Sequence, residues 1–125
     1  MSFEEYNKTF LYAKTNNSEA CYRSIKSNEE SANSIYRYMW GDTEFLLIGT
    51  LKNNKSSTVL KKLNIPCLFL AGDNDEVSFD SLSFYKNLIK REDSKVIIYE
   101  NSNHSVNIDS EERIVLDVKD FILNK

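Results

Sequence analysis

The sequence predicts an α/β fold: a parallel β-α-β-α unit preceded by helices, with a sheet that is incomplete. Two short runs and the segment joining them carry that reading. Cys67-Leu68-Phe69-Leu70-Ala71 is apolar throughout, opened by Pro66 and closed by Gly72, which suits a parallel strand covered on both faces. Val96-Ile97-Ile98-Tyr99 is a second, β-branched run. The connection is long enough for a crossover helix, so the strands are expected as parallel neighbours in a right-handed βαβ unit. Two such strands cannot satisfy a sheet alone, and the chain reads as part of a larger one.

The elements follow in order. Phe3, Tyr6, Phe10 and Ala13 recur at helical spacing and predict an amphipathic helix over residues 3–13. After the TNNS break, residues 18–25 are expected as a short helix with Cys21, Tyr22 and Ile25 on one side. A third helix starts at a potential Asn28 cap, carries Glu29 and Glu30 in its first turn and lines Ala32, Ile35, Tyr36 and Met39 on one face before Gly41. Residues 41–51 have no helical stripe and read as a connector, and residues 56–63 as a short helix into the first strand. Leu82, Tyr85, Leu88 and Ile89 give the crossover helix its face between Ser81 and Arg91. A polar loop over residues 100–107 holds His104, the single histidine. Asp109 and Glu112 resemble a capping box, and Ile114, Val115, Val118, Phe121 and Ile122 make the last helix amphipathic. The patterns divide the chain into a helical segment, 1–41, a connector, 42–65, and a βαβα segment, 66–125.

Composition limits the function classes. The 125 residues fit one domain, and 41% hydrophobic content is enough for a core. A net charge of −3 with interspersed lysines and acids gives no footprint for nucleic acid. The start, MSFEEYNKTF, lacks the basic and apolar regions of a signal peptide, and no apolar run reaches transmembrane length. Cys21 and Cys67 form no disulfide framework. Cys67 falls inside the first strand, so a cytoplasmic chain in a reducing compartment is expected. One histidine and two distant cysteines give no zinc spacing, the acids after Gly72 break the calcium-loop pattern, and no glycine-rich phosphate loop occurs. Neither metal nor cofactor is expected.

The chemistry-bearing residues lie after the two strands. Asp75 follows the first and His104 the second, at the carboxyl ends where open α/β sheets place ligands. An imidazole acting as general base needs a carboxylate to fix its tautomer and to stabilise its transient charge. In α/β-hydrolases the triad runs Ser, Asp or Glu, then His, so the last two members stand here in the right order. Spacing alone leaves the alternative of a surface acid and an exposed loop histidine open.

A set of short motifs goes further. Trp40-Gly41-Asp42-Thr43-Glu44-Phe45, Gly49-Thr50-Leu51-Lys52, Gly72-Asp73-Asn74-Asp75-Glu76 and the VIIYENSNHS stretch ending at Ser105 occur in one order. From Tyr36 onward the chain thereby resembles the proline iminopeptidases, serine aminopeptidases of the α/β-hydrolase fold. The resemblance implies the C-terminal part of an α/β-hydrolase: 1–41 as the end of its helical cap, 42–65 as the connector returning to the core, and 66–125 as the C-terminal βαβα part of that core. It implies Asp75 as triad acid, His104 as triad base, and Glu44 and Glu76 as holders of the free α-amino group of a peptide substrate. Carboxylates around an ammonium in a water-poor pocket would restrict cleavage to the first residue. Asp42 stands where the family has proline, as does Ser78-Phe79 after the Asp-Glu pair; both alter local backbone geometry without removing a reacting group.

The nucleophile is missing. An elbow needs serine flanked two residues away by glycines or small residues, and no serine stands two residues from Gly41, Gly49 or Gly72, the three glycines. The sequence therefore predicts part of a peptidase site that is inactive alone and needs a companion chain carrying the nucleophile. The other expectation is a non-enzymatic interaction module, or relic of an α/β-hydrolase, using its exposed strand edge.

Overall fold

The structure, a computed structural model, describes residues 15–27, 29–42 and 46–124. The helix expected over residues 3–13, the Asn28 cap and Glu44 lie outside the described residues. Among the described residues two helices come first, α1 (Ser18–Ser27) and α2 (Glu29–Met39), followed by a 3₁₀ turn (Thr50–Asn53) and the short α3 (Ser56–Leu60). Then come β1 (Leu68–Gly72), α4 (Phe79–Leu88), β2 (Lys95–Tyr99), α5 (Val106–Asp109) and α6 (Glu111–Leu123).

β1 and β2 pair in parallel, with Leu68 opposite Lys95 and Gly72 opposite Tyr99. This is the predicted βαβ unit, shifted by one residue at β1. Cys67 precedes the strand instead of lying in it and is half-buried, its N–H donating to Ser94 Oγ at 3.1 Å. The strand itself is less covered than an all-apolar run suggests: Leu68, Phe69 and Leu70 are half-buried, and only Ala71 and Gly72 are buried. No third strand extends the sheet among the described residues.

The crossover helix begins two residues before Ser81. Ser78 caps it, accepting from Ser81 N–H at 3.2 Å, the arrangement that satisfies an otherwise orphan helix donor. Its buried side is Leu82, and Ile89 just past its end is buried as well. On β2, Tyr99 is fully buried, donates to Asp117 Oδ2 on α6 at 2.9 Å and lies under the Arg113 guanidinium. These contacts fasten α6 along the strand. The stripe expected on α6 is only partly covered, with Ile114, Val118 and Phe121 half-buried but Val115 and Ile122 exposed. The same holds for α2, where Ile35 is exposed and Tyr36 and Met39 are half-buried.

Gly41 ends α2 as expected. Its φ of 101° is a conformation that L side chains rarely adopt, and it turns the chain so that Trp40 C=O accepts from both Ile48 and Gly49 N–H at 3.0 Å. Trp40 is half-buried and stacks on Tyr36 with ring centroids 6.4 Å apart. Among the described residues no helix is long and apolar enough to cross a membrane.

Candidate active site

Parallel pairing sends both strands out at the same end, so the loops after Gly72 and Tyr99 meet. Three bonds join them. Asp73 N–H donates to Tyr99 C=O at 3.0 Å, Asn74 N–H to Ser102 C=O at 2.9 Å, and Ser102 N–H to Asp73 Oδ1 at 3.1 Å. A glycine is required at the crossing point, because a Cβ on Gly72 would stand 2.0 Å from Ser102 O and 2.6 Å from Asn103 O.

This crossing places Asp75 against His104. The imidazole Nδ1 lies 3.1 Å from Asp75 Oδ1 and 3.6 Å from Glu76 Oε1. The Asp75 side chain is only 4% exposed, whereas His104 is 57% exposed. Asp75 Oδ1 also accepts from Val77 N–H at 3.0 Å, which fixes the carboxylate's orientation. Burial opposes charge on Asp75, but the hydrogen bonds from His104, from Val77 N–H and from Glu76 outweigh it and hold its pKa below the ordinary carboxylate value. Glu76 moves the other way. Burial and the adjacent Asp75 carboxyl raise its pKa, against its own backbone N–H and the imidazole.

These opposite shifts give a pH signature. A carboxyl whose folded pKa is raised contributes stability below its unfolded value, ordinarily 4.5 for Glu76, and that contribution is lost as pH rises through the folded pKa. The Glu76→Gln variant is therefore expected to unfold at a higher urea concentration than the parent at pH 7, with the difference shrinking as pH falls through the raised folded pKa toward the unfolded value of 4.5. Asp75 has the converse sign, stabilising above its unfolded value and losing that contribution as pH falls through the lowered one. Urea titrations of parent and variant across pH check this; a Glu76→Gln chain less stable than the parent at pH 7 contradicts it.

Asp75, Glu76 and His104 offer ligand atoms within 4.8 Å of one another. A donor set of two carboxylates and one imidazole suits a cation, yet Nδ1 and Asp75 Oδ1 already face each other at hydrogen-bonding distance. That geometry favours proton handling.

The structure thus brings together three of the four residues singled out from sequence, Asp75, Glu76 and His104, and leaves Glu44 undescribed. It adds two that sequence reasoning assigned elsewhere. Asp73, taken as one acid among several, holds the histidine loop by Ser102 N–H. Asp109, expected as a helix cap, caps nothing: α6 starts after Ser110 without a side-chain cap. Its buried carboxylate instead accepts from Asn17 N–H at 2.6 Å and from Asn103 N–H at 2.9 Å. No local spacing could have shown a bond between residues 17 and 109. Cys21 is buried beside it, and burial together with the Asp109 charge pushes the thiol pKa up.

Over 88 residues, 70% of its length, the chain is 34% identical to a proline iminopeptidase of Heyndrickxia coagulans. It is 32% identical over 87 residues to the proline iminopeptidase of Saccharolobus solfataricus. Over that stretch the chain is similar in sequence to part of two proline iminopeptidases. The matched stretches span 30% and 27% of those two proteins. No family model matches the chain. In three dimensions, 94% of it superposes on 38% of the crystal structure of the Mycobacterium smegmatis proline iminopeptidase, with a TM-score of 0.73 at 19% identity. A similar share superposes on VinJ, with a TM-score of 0.66 at 21% identity. The fold is thus that of part of an α/β-hydrolase, with a two-stranded portion of its sheet among the described residues.

Proposed function

We propose that this chain supplies the acid and base of a proline iminopeptidase-like serine aminopeptidase, releasing an N-terminal residue, preferably proline, from a peptide. The observation that carries this is the Asp75–His104 pair, a buried carboxylate 3.1 Å from imidazole Nδ1 at the carboxyl ends of adjacent parallel strands. With Nδ1–H held by Asp75, the basic lone pair is on Nε2. Nε2 then takes the proton of a serine hydroxyl as that oxygen attacks the amide carbonyl, and passes it to the departing amine. Water later splits the acyl-enzyme by the same route in reverse. Asp75 stays ionised throughout, which its lowered pKa supports, and offsets the positive charge on the ring. Glu76, with Glu44 on the strength of the family resemblance, receives the substrate's free α-ammonium.

The serine must come from a segment outside these 125 residues, since none stands in a nucleophile elbow. Alone, the chain is expected to be inactive. A partner segment carrying the elbow would extend the sheet, and the half-buried apolar residues of β1 support that role. The reading also includes the cytoplasm, a reducing compartment in keeping with Cys21 and Cys67 as free thiols.

Hydrolysis of a proline-linked chromogenic amide tests the proposal. The chain is assayed alone and with the nucleophile-bearing remainder of a proline iminopeptidase, with His104→Ala as control. Activity that needs both parts and is lost in the control is the expected result. A soluble, folded combination without activity overturns the peptidase reading and leaves the interaction module.

A further inference from the structure

We infer that Asp109 is a positioning residue for His104, linking the histidine loop to the segment that starts α1. This rests on the reading of Asp75 and His104 as acid and base. His104 itself is largely exposed, so packing around the ring does not determine where it sits. Its backbone does. The preceding residue, Asn103, is 2% exposed; its N–H is held by Asp109 Oδ2 at 2.9 Å, and its Oδ1 accepts from Ser105 N–H at 2.8 Å. The residues on both sides of His104 are thus fixed through Asn103, and Asn103 is fixed through Asp109.

The other oxygen, Oδ1, accepts from Asn17 N–H at 2.6 Å. Each carboxylate oxygen serves a different segment, one at the entry to α1 and one beside the imidazole. Burying a carboxylate at 5% exposure is costly unless its acceptors are satisfied, and here the two backbone donors come from residues 86 apart in sequence (103 − 17). Asn16 reinforces the junction: its N–H donates to Asn101 C=O at 2.9 Å and its side chain to Glu100 C=O at 3.0 Å and Ser102 Oγ at 3.2 Å. A shift of the α1 entry is therefore transmitted to the base through Asp109. In the peptidase reading, α1 belongs to the end of the cap, so movement of that segment would set the alignment of His104.

The single histidine makes the test direct. In a ¹⁵N-labelled chain, the imidazole shifts report which ring nitrogen carries the proton. The parent should show the Nδ1–H form of neutral His104, and Asp75→Ala should lose it. In Asp109→Asn, one oxygen is replaced by an NH₂ that faces a backbone N–H, so one of the two bonds must break. The share of Nδ1–H should fall toward that of Asp75→Ala while the backbone spectrum away from residues 15–21 and 100–112 remains that of the parent. Asp109→Ser, which also removes the buried charge, should shift it in the same direction and decides the matter if Asp109→Asn does not fold. A folded Asp109 variant with the parent tautomer overturns this inference alone. An unchanged tautomer in Asp75→Ala overturns the acid–base reading beneath it.

Discussion

Gly72→Ala is expected to destabilise the chain by about 3 kcal/mol or more, from about 1–3 for overpacking and about 1 for each hydrogen bond broken. The added methyl would meet Ser102 O at 2.0 Å and Ser102 C at 2.4 Å, both backbone atoms. A flexible side chain could swing away, but a carbonyl in a bonded loop cannot. Relief requires moving the histidine loop off the end of β1, which breaks the Asn74 N–H to Ser102 C=O and Ser102 N–H to Asp73 Oδ1 bonds. Against a typical total of about 5–15 kcal/mol, a loss of this size is large. Urea denaturation measures it. A variant within about 0.5 kcal/mol of the parent, the range of ordinary surface substitutions, would mean that the two loops do not cross at Gly72. The same variant should also lose the Nδ1–H signature of His104, because the loop that must move is the one that carries it.

That crossing also explains how much of the site was legible in the sequence. Two apolar runs with a helix-length gap predict parallel strands, and parallel strands necessarily deliver the acid after Gly72 and the histidine after Tyr99 to one edge. Asp75 and His104 could therefore be paired from topology before any distance was known. The helix starts were less legible: Ser78 and Ser81 both suit a cap, and only the path of the chain out of Val77 decides for Ser78. Stripes such as Ile114, Val115 and Ile122 record that a face is apolar, but not how much of it meets a neighbour. Asp109 was the largest misreading. Local spacing made it a capping box, whereas its carboxylate turns back to Asn103, six residues earlier, and to Asn17, and a bond across more than ninety residues, as to Asn17, leaves no periodic trace.

In the active combination with a nucleophile-bearing segment, Asp75→Ala is expected to lower kcat about 10⁴-fold, as removal of a triad carboxylate does elsewhere. Asp75→Asn should lose less, and less than the about 10⁴-fold found where an asparagine in this place imposes the wrong tautomer. The same Oδ1 accepts from Val77 N–H and faces His104 Nδ1, so the amide oxygen of asparagine can occupy that place and keep the tautomer, forfeiting only the charge. That electrostatic part is about 10²–10³-fold, the scale of a single preorganised polar group. The separation between the two variants measures orientation apart from charge. Retention of activity within about tenfold in Asp75→Ala contradicts the assignment of Asp75. Glu76, whose Oε1 is 3.6 Å from the same Nδ1, is then the group to examine. Its raised pKa makes it the weaker partner, because keeping it ionised beside an imidazolium is opposed by its burial. An Asp75→Ala, Glu76→Gln double variant separates the cases: a second large loss in kcat at saturating substrate places Glu76 in the proton relay, whereas a rise in KM with kcat no lower than in Asp75→Ala is the ammonium contact alone.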